Sequence, residues 1–102
     1  MQIQITMRHS ELTPEVKELV ERKFGKLEKF VQKPADVHLV VSQEKRRYVA
    51  EVALTAGRTN LHGKAESHDL HLSLDQAVDK LERQLRKIMA KVKSPKTNRR
   101  TG

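Results

Sequence analysis

The sequence predicts an α+β fold: a two-layer sandwich in the order β-α-β-β-β-α, with both helices on one face of a four-stranded sheet. Three observations carry this. Four short segments alternate apolar and polar residues, so each has one apolar face. Two longer segments repeat apolar residues at three- and four-residue steps, the period of a helix buried along one stripe. The last three strands follow one another through short turns, which favours antiparallel pairing, whereas a helical crossover follows the first strand and allows it to lie parallel to a neighbour.

Residues 2–7 form the first strand, with Ile3, Ile5 and Met7 on one face. Thr13-Pro14-Glu15 then reads as a helix start: a capping hydroxyl, a proline where no amide partner is needed, and an acid in the first turn. The first helix is expected over 14–31. Val16, Leu19, Val20, Phe24, Leu27, Phe30 and Val31 make its stripe, and Pro34 stops it. Lys23 falls inside the stripe and is expected to run its aliphatic stem along it to the edge.

Residues 36–43 form the second strand, with Val37, Leu39 and Val41 on one face. The charged Glu44-Lys45-Arg46-Arg47 turns the chain into a third strand over 48–56. Gly57 marks the next turn, and 60–66 form the fourth strand. The last helix is expected over 74–92 on the stripe Leu74, Ala77, Val78, Leu81, Leu85, Ile88, Met89 and Val92, with Ser67 or Asp69 available to cap an earlier turn. Residues 94–102 contain no apolar side chain and are expected to be a disordered basic tail behind a domain spanning 1–93.

Charge is the strongest functional signal. The 102 residues hold 21 Lys and Arg against 13 Asp and Glu, a net charge of +8, which favours an anionic partner, most commonly nucleic acid. The charges are also sorted. At about 100° per residue, Lys80, Arg83, Lys87 and Lys91 fall along one flank of the last helix, with Asp75, Asp79 and Glu82 toward the other and Arg86 among those acids. The first helix repeats the design, with Arg22, Lys26, Lys29 and Lys33 on one flank and Glu21 and Glu28 on the other. A helix that only covers a core gains solubility equally well from mixed pairs. The basic rows are therefore candidate polyanion contacts, with Lys33 and, at the hairpin, Lys45, Arg46 and Arg47 as weaker candidates. The only aromatics are Phe24, Phe30 and Tyr48, and both phenylalanines belong to a helix stripe. Phosphate and shape contacts by Lys and Arg are thus expected rather than base stacking.

Other classes find little support. Without cysteine there is no disulfide framework, thiol nucleophile or cysteine-based zinc site. His9, His38, His62, His68 and His71 are scattered without a completing carboxylate pattern, so no metal site is expected. No phosphate-binding glycine loop, nucleophile elbow or paired buried carboxylates point to an enzyme, a cofactor or a small-molecule substrate. The N-terminus has no basic region followed by an apolar one, and no apolar run approaches the roughly 20 residues of a membrane span, so a cytoplasmic protein without membrane contact is expected.

Several stretches resemble the ribosome hibernation-promoting factor family, also called the ribosome-associated inhibitor family. They are the opening MQIQIT, Leu12-Thr13, the run KFGKLEKF from Lys23 to Phe30, and most specifically VDKLERQLRK from Val78 to Lys87. The resemblance covers about residues 1–92. It implies a fold similar to a double-stranded RNA-binding domain with an added strand. It also implies binding to the small ribosomal subunit in the channel used by mRNA and tRNA, through contacts of both helices with ribosomal RNA, so that initiation is blocked and idle ribosomes are kept inactive. By matching position, the implied contacts are Lys23, Lys26, Lys29, Lys80, Arg83, Arg86 and Lys87. Where many members have Asp-Met-Tyr before the last helix, this chain has Asp69-Leu70-His71. Long members add a C-terminal domain that pairs ribosomes; a short form is expected to need a separate factor for pairing or not to pair them. Off the ribosome the protein is expected to be monomeric. Two alternatives stay open: a general double-stranded RNA-binding module, and a protein-interaction module of the sigma-factor-modulating kind.

Overall fold

The computed structural model describes residues 1–31 and 34–93, with side chains through Met89. The elements are β1 (Gln2–Arg8), α1 (Pro14–Gly25), a 3-10 helix (Lys26–Phe30), β2 (Ala35–Glu44), β3 (Arg47–Ala56), β4 (Thr59–Ser67) and α2 (Leu70–Lys93). Lys33 and the expected tail over 94–102 lie outside the described residues, as does the side chain of Lys91.

The sheet runs β1-β2-β3-β4. β1 pairs parallel with β2, with Ile3 beside Val37 and Ile5 beside Leu39. β2 and β3, and then β3 and β4, pair antiparallel. The parallel pair follows from the connection: α1 carries the chain back along the sheet, and β2 re-enters in the direction of β1. Both hairpins close through two residues, with Lys45 (φ 55°) and Gly57 (φ 61°) in the left-handed region. Glycine adopts that conformation freely, whereas at Lys45 it costs about 1 kcal/mol.

One sheet face meets both helices. Val37, Leu39, Val41, Ala50, Val52, Leu54, Leu61 and Ala65 from the strands join Leu19, Val20, Phe24, Leu27, Leu74, Ala77, Val78, Leu81 and Leu85 in a single buried cluster. The opposite face carries exposed Gln4, Thr6, His38, Glu51, His62 and Lys64. Gly63 lies under α2: a Cβ there would meet Ala77 O and Lys80 Cβ at 3.6 Å, an ordinary van der Waals contact.

The elements depart from the sequence expectation at two helix boundaries. The first helix is α-helical only to Gly25 and continues as a 3-10 helix. Glycine is a poor interior residue, and the three-residue turn that follows sets Leu27 and Phe30 in line above the core. The last helix starts at Leu70, one turn earlier than its apolar stripe indicates. Asp69 makes this turn possible: its carboxylate accepts from the His71 amide (2.9 Å) and its carbonyl from the Ser73 amide (3.0 Å). The Ser67 hydroxyl in turn accepts from the Asp69 amide (3.2 Å), so both suggested caps take part. Ser73 is fully buried, and its hydroxyl donates to Tyr48 O (2.9 Å) and lies 2.7 Å from the Ser67 hydroxyl. This satisfied polar group pins the first turn of α2 to the start of β3.

The two helices run parallel. Val16 and Leu19 share a groove with Leu70, Lys23 bonds Asp75, and Arg86 lies over Phe30, so partners rise together along both segments. Both N-termini therefore sit at the end of the sheet holding Arg8, the Lys45–Arg46 turn and Ser67. The 3-10 helix and the later turns of α2 lie toward the opposite end, with the Gly57–Arg58 turn.

Candidate nucleic-acid interface

The parallel arrangement decides where the charged flanks go. Each helix has its basic flank on the same rotational side, so two parallel neighbours bring the basic flank of one against the acidic flank of the other. That is what is seen. Arg22 of α1 lines the groove shared with α2. Glu21 and Glu28 face the other way, toward β1, where Glu28 accepts from the N-terminal ammonium of Met1 at 3.0 Å. On α2, Asp75, Glu82 and Arg86 turn toward α1 and the 3-10 helix. Lys80 and Gln84 turn toward β4, where Lys80 Nζ donates to Lys64 O and Gln84 Nε2 to His62 O (3.0 Å). These two side chains occupy backbone acceptors on the outer edge of β4 and so blunt an open strand. The two basic rows thus do not line a common cleft.

They are joined instead across the later part of the helix layer. Phe30, half-buried at the end of the 3-10 helix, has the Lys29 ammonium and the Arg86 guanidinium each 5.3 Å from its ring centre. Arg86 is also held by Glu82, four residues earlier, at 3.0 Å. Arg83, Arg86 and Lys87 are helical neighbours on the exposed side of α2. A band of cations therefore runs from Lys26 and Lys29 through Arg86, Arg83 and Lys87 to Lys80 at the β4 edge. It lies toward the C-terminal ends of two parallel helices, where the helix dipoles favour positive charge.

The other candidates fall differently. Lys23 is neither a free cation nor a simple surface residue: its stem is packed in the α1 stripe and its ammonium bonds Asp75 at 2.5 Å, tying α1 to α2. Arg22 sits nearer the helix N-termini, beside Glu18 and His71. Lys45, Arg46 and Arg47 lie at the opposite end of the sheet from the Phe30 cluster, and Arg47 bonds Glu66 at 2.6 Å. Among the described residues, Lys26, Arg83 and Lys87 have no ion-pair partner. Two features were not legible in the sequence. Phe30 reads there only as a core residue, because its cationic neighbour Arg86 is remote along the chain. The bond from Lys80 to the Lys64 carbonyl forms only because β4 lies under the basic flank of α2. Among the described residues no group of three His, Asp or Glu side chains forms a metal-binding arrangement, and no helix is long and apolar enough to cross a membrane.

Comparison with known proteins agrees with this architecture. Residues 3–93 match the family described as sigma 54 modulation protein / S30EA ribosomal protein. The chain is 37% identical over 93 residues to the ribosome hibernation promoting factor of Klebsiella oxytoca, covering 91% of this chain and 98% of that one. It is 34% identical over 93 residues, with the same coverage, to the factor of that name from Escherichia coli K12. Among solved structures, the N-terminal domain of Thermus thermophilus Protein Y superposes with a TM-score of 0.82 at 26% identity, covering 86% of this chain and 99% of that domain. A ribosomal subunit interface protein from Coxiella burnetii gives 0.76 at 26% identity, covering 88% and 99%.

Proposed function

The chain belongs to the sigma 54 modulation protein / S30EA ribosomal protein family, and on that premise we propose that it is a ribosome hibernation factor that acts in the cytoplasm as a monomer by binding, without catalysis. Its target is the RNA of the small ribosomal subunit, and it inhibits translation by filling the channel that mRNA and tRNA otherwise occupy. The observation that carries this reading is the band of cations across the 3-10 helix and α2, in a chain whose net charge is +8. Lys26, Lys29, Lys80, Arg83, Arg86 and Lys87 are the proposed phosphate contacts, and Arg22, nearer the helix N-termini, is peripheral. Lys23 serves chiefly as the tie between helices, and Lys45, Arg46 and Arg47 are peripheral.

Phosphate neutralisation makes affinity depend on salt. Six such contacts give a slope of log affinity against log salt of about −4 to −5, from roughly 0.7–0.9 per contact. Occlusion makes binding competitive. The test is co-sedimentation with separated small and large subunits, with and without mRNA and initiator tRNA. Binding to the small subunit that disappears when those ligands fill the channel supports the reading. Equal binding to both subunits, or to any RNA duplex, makes the domain a general RNA binder instead.

Phe30 gives a finer check. It holds Lys29 and Arg86 over one ring, so their side chains are partly ordered before RNA arrives. Ordering a long side chain costs about 0.5–1.5 kcal/mol. Phe30→Leu keeps an apolar residue on the core, and is expected to weaken subunit binding about tenfold with the fold intact. In an Arg86→Ala background the same substitution is expected to have a clearly smaller effect; equal losses in both backgrounds would contradict the coupling.

A further inference from the structure

The two hairpins of the sheet offer an internal comparison. Each closes through two residues, the first of them left-handed: Lys45-Arg46 between β2 and β3, and Gly57-Arg58 between β3 and β4. Glycine carries that conformation without strain, and lysine does not. The second hairpin therefore has the residue that the backbone prefers, and the first keeps a lysine against that preference. His9 (φ 68°), directly after β1, is the other left-handed residue that is not glycine among the described residues. β1 and β2 run parallel with Arg8 beside Ser42, so His9 and Lys45 stand at the same end of the sheet. Strained backbone gathers at functional sites. The side chains at this tip are basic: Arg8, His9, Lys45, Arg46 and Arg47 are all exposed. Arg47 stands opposite Glu44 and bonds Glu66 at 2.6 Å. Arg8, Lys45 and Arg46 have no ion-pair partner among the described residues. Glu11, Glu15 and Glu18, with Lys17 and Arg22 among them, lie in or just before α1 on the helix side. Arg8 instead shares the open face of the sheet with His38 and Glu51.

We propose that this sheet tip is a second RNA site, where Arg8, Lys45 and Arg46 take the phosphates of a segment distinct from the one on the cationic band. The inference rests on the proposed subunit binding. The band lies toward the opposite end of the domain, and the ten residues of β2 alone span about 33 Å. Phosphate contacts fix the register and orientation of a protein on its nucleic acid. Two patches that far apart hold the domain against rocking, which one patch does not do. The lysine at the turn fits this role: it places a cation at the outermost point of the sheet, and the chain gives up some stability for it.

The experiment uses the whole chain and purified small subunits. Lys45→Gly relieves the strain and removes the charge together. Its melting temperature is expected to rise by about 4 °C, while its affinity for the subunit falls about fivefold. A variant that misfolds, or a tip that touches nothing, does not move the two readouts in opposite directions. Arg8→Gln/Arg46→Gln is expected to bind about tenfold more weakly, with a salt slope shallower by about 2 units. The chain has no cysteine, so Glu44→Cys at the tip and Asp79→Cys, one turn before Arg83, each carry a single iron-EDTA tether. Hydroxyl radicals from the two positions are expected to cut different segments of ribosomal RNA. A melting temperature that does not rise, unchanged affinity, cuts in one shared segment, or none from position 44 because the tip meets protein, overturns the proposal and leaves subunit binding standing. If the unmodified chain does not sediment with subunits, the reading of function fails and this inference with it.

Discussion

Replacing Lys26, Arg83 and Lys87 together by glutamate is expected to weaken binding to the small ribosomal subunit about a hundredfold while the domain stays folded. The magnitude follows from about 1 kcal/mol for each lost charge contact, with 1.4 kcal/mol equal to a factor of ten. The same variant should make the salt slope shallower by about 2 to 3 units. These three positions suit the test because none has an ion-pair partner among the described residues, so reversal leaves no buried charge behind. Lys80 is less suitable: its ammonium sits on the β4 edge, and changing it would disturb the sheet as well as the band. Affinity measured across a salt series, with circular dichroism as the control for folding, decides the matter. Binding that survives with the original slope would move the RNA contact off this band.

The second large effect concerns stability. Phe24→Ala is expected to destabilise the domain by about 3–5 kcal/mol, the range for emptying a buried aromatic site. Phe24 is fully buried, one residue before α1 gives way to the 3-10 helix. A domain of this size has about 5–15 kcal/mol in all, so the variant would lose a large share of its stability. At about 4–8 °C per kcal/mol, melting should fall by at least about 12 °C. Phe24→Leu keeps most of the volume and should lose far less. Thermal denaturation followed by circular dichroism measures both; a fall of only a few degrees for Phe24→Ala would show that the site collapses around the missing ring.

The fold was legible in the sequence because each element states its own period. The alternation of Ile3, Ile5 and Met7, the run Val37, Leu39 and Val41, and the spacing of Leu74, Val78, Leu81 and Leu85 each name an element and the face it buries. The boundaries were less legible where local chemistry overrides period. Gly25 changes the helix type, and the Ser67–Asp69–Ser73 bonds start α2 a turn early. Both depend on short-range hydrogen bonds that an apolar pattern does not record.

The candidate site divides the same way. Charge, its sorting into flanks and the relevant residue types are properties of each helix alone, and the sequence by itself determined them. How the flanks meet is a property of two helices together. Only the tertiary structure decided that α1 and α2 run parallel, that the basic flank of one therefore faces the acidic flank of the other, and that Lys23 becomes a tie to Asp75. It also decided that Lys29 and Arg86 share Phe30, and that Arg8 and the Lys45–Arg46 turn stand at one end. The physical reason is that local periodicity sets which side of an element is buried, whereas the direction and neighbours of that element come from how the sheet lets the chain return.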